Sequence, residues 1–482
     1  MLSVMHYILK RPGGAGAGAR LDPRSGLHFL PMLIVQRPAV RRRRRFSRRS
    51  VLAAGLGAAA TLVACGEAAP EVTPAPSPIP TAPPTAPPQP PAPAQLRLLG
   101  WPFRPDLLRQ RLDAFERYRG DVRVLHEQAP HDYPVRALEA LTRSPSVDVV
   151  QARDGLVGAW WSGRALQTMG AEDTWRVVLD AMWPHARQAV TLGGQVVGLP
   201  YYADVMLLAY NRQLLDRVGA PVPSTLEELT DICRGAARRQ ICEFGISLNL
   251  APKVFTNLPW WGLVYASGGR LAAPDGPDPA AVAVLEWLRD AIAVSNVVDP
   301  DFGLATYDAL AREQHIFSIV GAHVLRRLNQ PSPGAFGVAP IPGIASPLGT
   351  VAWTPLYSVA ANAPRPADAV DLVNYLGGPG PAGDYASAAF WLQQEGLIPA
   401  YRPLLDRPEV EGDLAAWIDP HALMPILAAA RPVERLWERW YLSWEHELQT
   451  QVQEAIFGRQ PADGALAAAE AVARELALDS GG

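Results

Sequence analysis

The sequence predicts an α/β body carried behind a segment for export. Three observations predict it. From Gln95 onward, short apolar runs alternate with amphipathic stretches, as strands alternate with helices in an α/β protein. A basic block, an apolar run and a cysteine follow one another within residues 41–65, the layout of a cleavable signal. The 482 residues are 49% hydrophobic and 19% charged, enough apolar material for two or three domains and too much for a disordered chain.

The export segment reads RRRRRFSRRSVLAAGLGAAATLVAC, with 14 uncharged residues from Val51 to Ala64 before Cys65. A membrane-spanning helix needs about 20 apolar residues, so this run predicts a removable signal and not a permanent span. Ser47 to Leu52 resembles the twin-arginine motif, and Leu62-Val63-Ala64-Cys65 resembles a bacterial lipobox, in which Cys65 becomes the lipidated first residue of the mature chain. Met32 stands as an alternative start. Of the 24 residues from Pro70 to Pro93, 12 are proline; with φ fixed and few amide donors, 65–94 is expected to be an extended spacer. These features place the body outside the cell, anchored to the outer face of the membrane. Residues 1–64 hold 12 basic residues against 1 acid, and the remainder holds 32 against 46. An acidic body argues against nucleic acid as a partner.

Within the body, Leu96–Trp101, Val122–Leu125 and Val147–Gln151 read as strands, and 106–119 and 133–142 read as the helices between them. That order predicts a parallel sheet with right-handed crossovers. Ligands of such sheets sit beyond the carboxyl ends of the strands, where Trp101 and Ala152-Arg153-Asp154 fall. Gly198 to Asn211 changes from turn to buried strand. Ser224 or Thr225 caps a helix whose first turn carries Glu227 and Glu228. Long amphipathic helices are expected over 432–457 and 461–478.

The order of these landmarks is similar to that of the extracellular solute-binding proteins of family 1, the sugar-binding components of bacterial ABC importers related to maltose-binding protein. The residues that carry the likeness are the helix from Tyr133 leading into Ser146-Val147-Asp148-Val149-Val150, then Gly163-Arg164-Ala165-Leu166, Gly198-Leu199-Pro200, and Tyr210-Asn211 with Leu214-Leu215. Further along come Pro223 to Leu229, Ala266 to Gly269, Gly337 to Gly343, and Phe457 to Leu466. The resemblance implies a two-lobed α/β fold of the periplasmic-binding-protein type, each lobe a mostly parallel sheet flanked by helices. One lobe would hold 95–204 and 350–397, the other 205–349 and 398–480. Connections would run through Pro200 to Asp204, the stretch around Gly349 to Trp353, and Ile398 to Tyr401, with closure as a hinge motion.

A sugar presents hydroxyl rims and apolar C–H faces, so its pocket needs flat aromatic platforms and a few fixed polar groups. Candidate platforms are Trp101 at a strand end, Tyr201 and Tyr202 at a lobe connection, Trp260 beside Trp261, and Trp353 and Tyr357 where the chain recrosses. Each ring also reads as packed core; Trp101, Tyr201, Trp260 and Trp353 rank first because loops and strand ends expose rings. Trp437, Trp440 and Trp444 recur at helical spacing and read as core. Asp154, Asp204 and Asn257 are the polar candidates, with turn capping as their alternative role. His323 follows Gly321 where the family often places a ligand-stacking tryptophan; the departure implies a smaller or more polar solute, or a structural histidine.

Cys233 and Cys242 read either as a disulfide or as two free thiols. No metal or cofactor is expected, and no catalytic residue is assigned. Gly378-Pro379-Gly380-Pro381-Ala382-Gly383 fits a dinucleotide-binding pattern by letter only, because it follows a helix-like run and two of its members lack an amide proton. The expected function is an exported, membrane-tethered receptor that hands a carbohydrate-type solute to ABC permease subunits, as a monomer. The competing readings are an exported glycosidase-like lipoprotein and a receptor for a polyamine or polyol phosphate.

Overall fold

The computed structural model describes residues 93–129, 133–251, 257–273, 276–302 and 306–480. The export signal, Cys65 and the proline-rich spacer lie outside the described residues.

The first three strands form as their sequence predicts. Ala94–Gly100 pairs in parallel with Val122–Gln128 on one side and Val149–Ala152 on the other. The helices Pro105–Arg119 and Tyr133–Thr142 make the two crossovers, and Leu107, Leu108, Leu112 and Phe115 turn one buried face to the sheet. The remaining two strands come from far along the chain. Leu356–Val359 runs antiparallel to Val149–Ala152, and Leu199–Pro200 runs antiparallel to Leu356–Val359.

A second sheet is built around the long strand Asp204–Asn211, which pairs antiparallel with Phe317–Gly321, Phe336–Ala339 and Thr350–Trp353. Ile246–Leu248 and Ala430–Pro432 add parallel edges. Each sheet is mostly parallel, as expected, with one reversed strand: Leu356–Val359 in the first and Asp204–Asn211 in the second. Along Asp204–Asn211 the faces alternate with period two. Val205, Leu207 and Ala209 join the core that continues into the first sheet, whereas Leu208 and Tyr210 join a second core. That second core holds the helices Leu226–Arg238, Leu258–Ala266, Pro279–Ala293, Tyr441–Ile456 and Ala462–Ser480.

The capping signal at the start of Leu226–Arg238 forms in full. Thr225 Oγ1 accepts from the Glu228 amide at 3.1 Å, and the Glu228 carboxylate accepts from the amides of Ser224 at 2.7 Å and Thr225 at 3.2 Å. The helix expected over 432–457 begins later, at Tyr441. Ala430–Pro432 is drawn into the second sheet, and 433–440 turns back with Arg435 at positive φ.

The chain passes from sheet to sheet at defined points. Pro200 ends a strand of the first sheet and Asp204 opens one of the second, so Tyr201 to Ala203 is the first crossing. Thr350–Trp353 is itself a strand of the second sheet, and the return runs through Thr354 and Pro355 to Leu356. After the helix Ala386–Glu395, the Ile398 carbonyl accepts from the Ala203 amide at 2.9 Å and the Ala400 carbonyl from the Trp183 amide at 3.0 Å. Short helices then lead back to the second sheet at Ala430.

Candidate functional site

The crossings bring together most of the residues expected to bind. At the carboxyl end of the first sheet, Gln151 Oε1 accepts from the Trp101 amide at 3.3 Å, while its Nε2 donates to the Tyr357 hydroxyl at 3.5 Å. Trp101 stands edge-on to Tyr133 at 5.2 Å. The Tyr133 hydroxyl reaches the Leu99 carbonyl at 3.3 Å and also the Gln151 carbonyl. Tyr201, on the first crossing, packs against Tyr202 at 4.8 Å, Tyr357 at 5.0 Å and Trp391 at 6.0 Å. Burial pushes the hydroxyls of Tyr133, Tyr201 and Tyr357 well above the ordinary range. They are neutral hydrogen-bonding groups at any physiological pH.

Two carboxylates brace the crossings. Asp154, in the first turn of the helix Asp154–Ser162, accepts from the Gly155 amide at 3.0 Å and, across the second crossing, from the Thr354 amide at 2.7 Å. Burial raises its pKa. Asp204, fully buried, accepts through Oδ1 from the amides of Val205 at 2.8 Å and Ala322 at 3.0 Å, and through Oδ2 it holds His323 Nδ1. The His323 ring is thereby fixed with its far edge toward the space between the lobes, its side chain 39% exposed. It stands edge-on to Trp353 at 6.3 Å, and the Trp353 side chain hydrogen-bonds the Tyr202 hydroxyl. Burial, then the Asp204 charge, push that hydroxyl up. Gly321 makes the turn possible: a Cβ there would sit 2.8 Å from both the His323 and Trp353 rings.

Asn257 and Trp260 lie elsewhere. The helix Leu258–Ala266 is apolar on all sides and buried along its length, as expected of a helix with no polar stripe. Trp260 is 0% exposed and packs on Trp261 at 5.0 Å within the second core; Asn257 is buried just before it. The expectation that loops and strand ends expose these rings is therefore corrected for Trp260, and also for Tyr201 and Trp353, which the crossings bury at 1% and 8% exposure. Trp440 and Trp444 are core as expected, but the Trp437 backbone lies against Gly158 of the first lobe.

Sequence reasoning missed four contributors. Tyr441 is bonded to Glu445, with the charges of Asp154 and Arg153 beside it. Phe103 stacks on Trp391 at 6.1 Å. Gln151 and Tyr133 tie the strand ends together. None carried a signal: Tyr441 falls at the same helical spacing as Trp437, Trp440 and Trp444 and reads as core with them.

Between the lobes opens a crevice of about 470 Å³, lined by Arg104, Gln394 and Glu395 from the first lobe and by His323, Arg326 and Arg327 from the second. Among the described residues no group of three His, Cys, Asp or Glu side chains is placed to hold a metal, and no helix is long and apolar enough to cross a membrane. Cys233 and Cys242 are free thiols here. Burial raises Cys233, and burial lifts Cys242 to about 11.

Solved structures share this architecture. The GacH receptor of Streptomyces glaucescens, solved unliganded and with acarbose, superposes with a TM-score of 0.66 at 17% identity, covering 80% of this chain and 98% of the receptor. Maltose-bound MalE3 of T. maritima gives 0.66 at 18% identity, over 80% and 99%. The sugar-binding protein MalE of Xanthomonas citri gives 0.67 at 16%, over 80% and 97%. The family model described as bacterial extracellular solute-binding protein matches residues 110–411. That span takes in the first two crossings, the start of the third and most strands of both sheets, and on it the chain belongs to the bacterial extracellular solute-binding protein family.

Proposed function

We propose that this chain is a receptor that captures a carbohydrate-type solute between its lobes and passes it intact to an ABC permease, tethered to the outer face of the cell membrane through lipidated Cys65. One observation carries the sugar reading. Tyr202, Trp353 and His323 meet at the crossings, so aromatic faces and a polar ring edge converge where a closing hinge would bring them onto a guest. Aromatic platforms with few polar groups suit a ring that is apolar on its faces and hydroxylated at its rim. Relatives solved with acarbose and with maltose support the same class. Asp154 and Asp204 commit their oxygens to backbone amides and to His323, which suits bracing a hinge better than acid–base chemistry on a glycosidic bond.

Incubation with maltose, maltotriose and acarbose tests this. A receptor returns each sugar unchanged while its melting temperature rises, by the equivalent of about 2.7 kcal/mol at a hundredfold excess over Kd. Trp353→Ala should weaken binding on the order of 10- to 100-fold, the loss of one stacked aromatic contact and its hydrogen bond. Sugar fragments in the supernatant would establish an enzyme instead, and no response to any sugar would exclude the carbohydrate class. In the same preparation, Cys65→Ala should move the protein from the membrane fraction to the soluble one; unaltered membrane association would rule out the lipid tether.

A further inference from the structure

Arg326 reaches from one lobe to the other at the crevice. It stands on the helix Val324–Asn329, which follows the second-sheet strand Phe317–Gly321. Its guanidinium points out of that lobe. Nη2 donates to the Gln393 carbonyl at 2.7 Å, and Nη1 donates to the Gln394 carbonyl. Both acceptors lie in the last turn of the helix Ala386–Glu395, which belongs to the first lobe: Arg111 of the helix Pro105–Arg119 bonds Ser387, and the Ser387 hydroxyl donates to the Tyr375 carbonyl at 2.6 Å.

The chemistry of the contact is favourable on two counts. The last four carbonyls of a helix have no partner within it, and the helix dipole places partial negative charge there. A planar guanidinium presents two parallel donors to two such carbonyls and brings a cation to that end. The receiving side is also shaped for it. Gly396 closes the helix in the left-handed region at φ +71°, and a Cβ at this position would come within 2.8 Å of Arg326 Cδ and 2.9 Å of its Cβ. The glycine ends the helix and leaves room for the arginine stem. Glu395, next to these carbonyls, is ion-paired with Arg104 of the first lobe, so its charge is balanced without recruiting Arg326.

We infer that Arg326 is a closure latch, a cross-lobe clamp on the C-terminus of the helix Ala386–Glu395 that holds the lobes together and governs how readily the hinge opens. The inference rests on the reading of the chain as a hinged binding protein. The closed arrangement gains two charge-assisted hydrogen bonds that an opened one surrenders to water, and this differential contact shifts the equilibrium between the two.

Hydrogen–deuterium exchange of the full chain, read by mass spectrometry without ligand, tests it. In Arg326→Ala, peptides covering 201–204 and 396–401 should exchange several-fold faster than in the wild type, while the strand Asp204–Asn211 beyond its first residues exchanges as before. Arg326→Lys, which keeps the charge and loses the paired donors, should fall between. Unchanged exchange at the crossings in Arg326→Ala overturns the latch, and so does a uniform acceleration that includes the central strand, since that reports general destabilisation. The wild-type response to maltose is a separate reading: slower exchange at 201–204 with sugar present upholds the binding function even if the latch fails.

Discussion

His185 shows how one buried side chain couples this fold to pH. It lies in the helix Pro184–Val190, 1% exposed, and neither ring nitrogen meets a hydrogen-bond partner among the described residues. Burial alone pulls its pKa from the ordinary 6.5 to about 3. Above pH 6.5 the ring is neutral in folded and unfolded chains alike, and its contribution is fully present. Between 6.5 and about 3 the unfolded chain takes up a proton that the folded chain refuses, so stability falls as pH falls. One proton corresponds to about 1.4 kcal/mol per pH unit. Urea titrations at pH 7, 5.5 and 4.5 should show this slope on top of that of other groups, and His185→Leu should remove it; equal slopes in both proteins would contradict the assignment. Nothing in the sequence around His185 announces its burial. The same holds for the tryptophans. Trp353 and Trp260 both precede or follow turn-like residues, and which one faces the crossings is decided by strand pairing on one side and by an all-apolar helix on the other.

Helices and strands were legible where local signals agree with tertiary demand. The capping box at Thr225 and Glu228 is complete within four residues, and its helix starts where those residues predict. The first three strands carry their own apolar pattern and parallel order. The strand Ala430–Pro432 does not: its partner is Thr350–Trp353, eighty residues away, and no local pattern encodes that pairing. For the same reason the sequence of 433–440 reads as helix. Its tryptophans keep helical spacing while its backbone turns to meet the first lobe, and there Gly158 becomes decisive. A Cβ on Gly158 would lie 2.7 Å from the Trp437 Cα and closer still to its carbonyl. Alanine in place of a helical glycine ordinarily stabilises by about 0.5–1 kcal/mol. Here a backbone stands in the way, so Gly158→Ala should instead cost about 1–3 kcal/mol. Chemical denaturation decides the sign, and a stabilised variant would show that the two segments do not pack this closely.

At the scale of the molecule, the two lobes share a core. The cluster that fills the first sheet continues without interruption into Val205, Leu207, Ala209 and Val320 of the second. A hinge built over continuous apolar contact should move at its rim and unfold as a whole. Calorimetry of the ligand-free protein should therefore show a single transition; two resolved transitions would mean that the shared core is weaker than its burial implies. The two-lobed architecture was legible only through the order of many weak landmarks, because the register of the crossings depends on residues hundreds of positions apart. That same interleaving governs how the protein can be made. The first sheet lacks its fourth strand until Leu356 to Val359 has left the ribosome, so a nascent chain cannot complete even one half early, and slow assembly from distant pieces leaves a long interval in which the polypeptide is a client for chaperones.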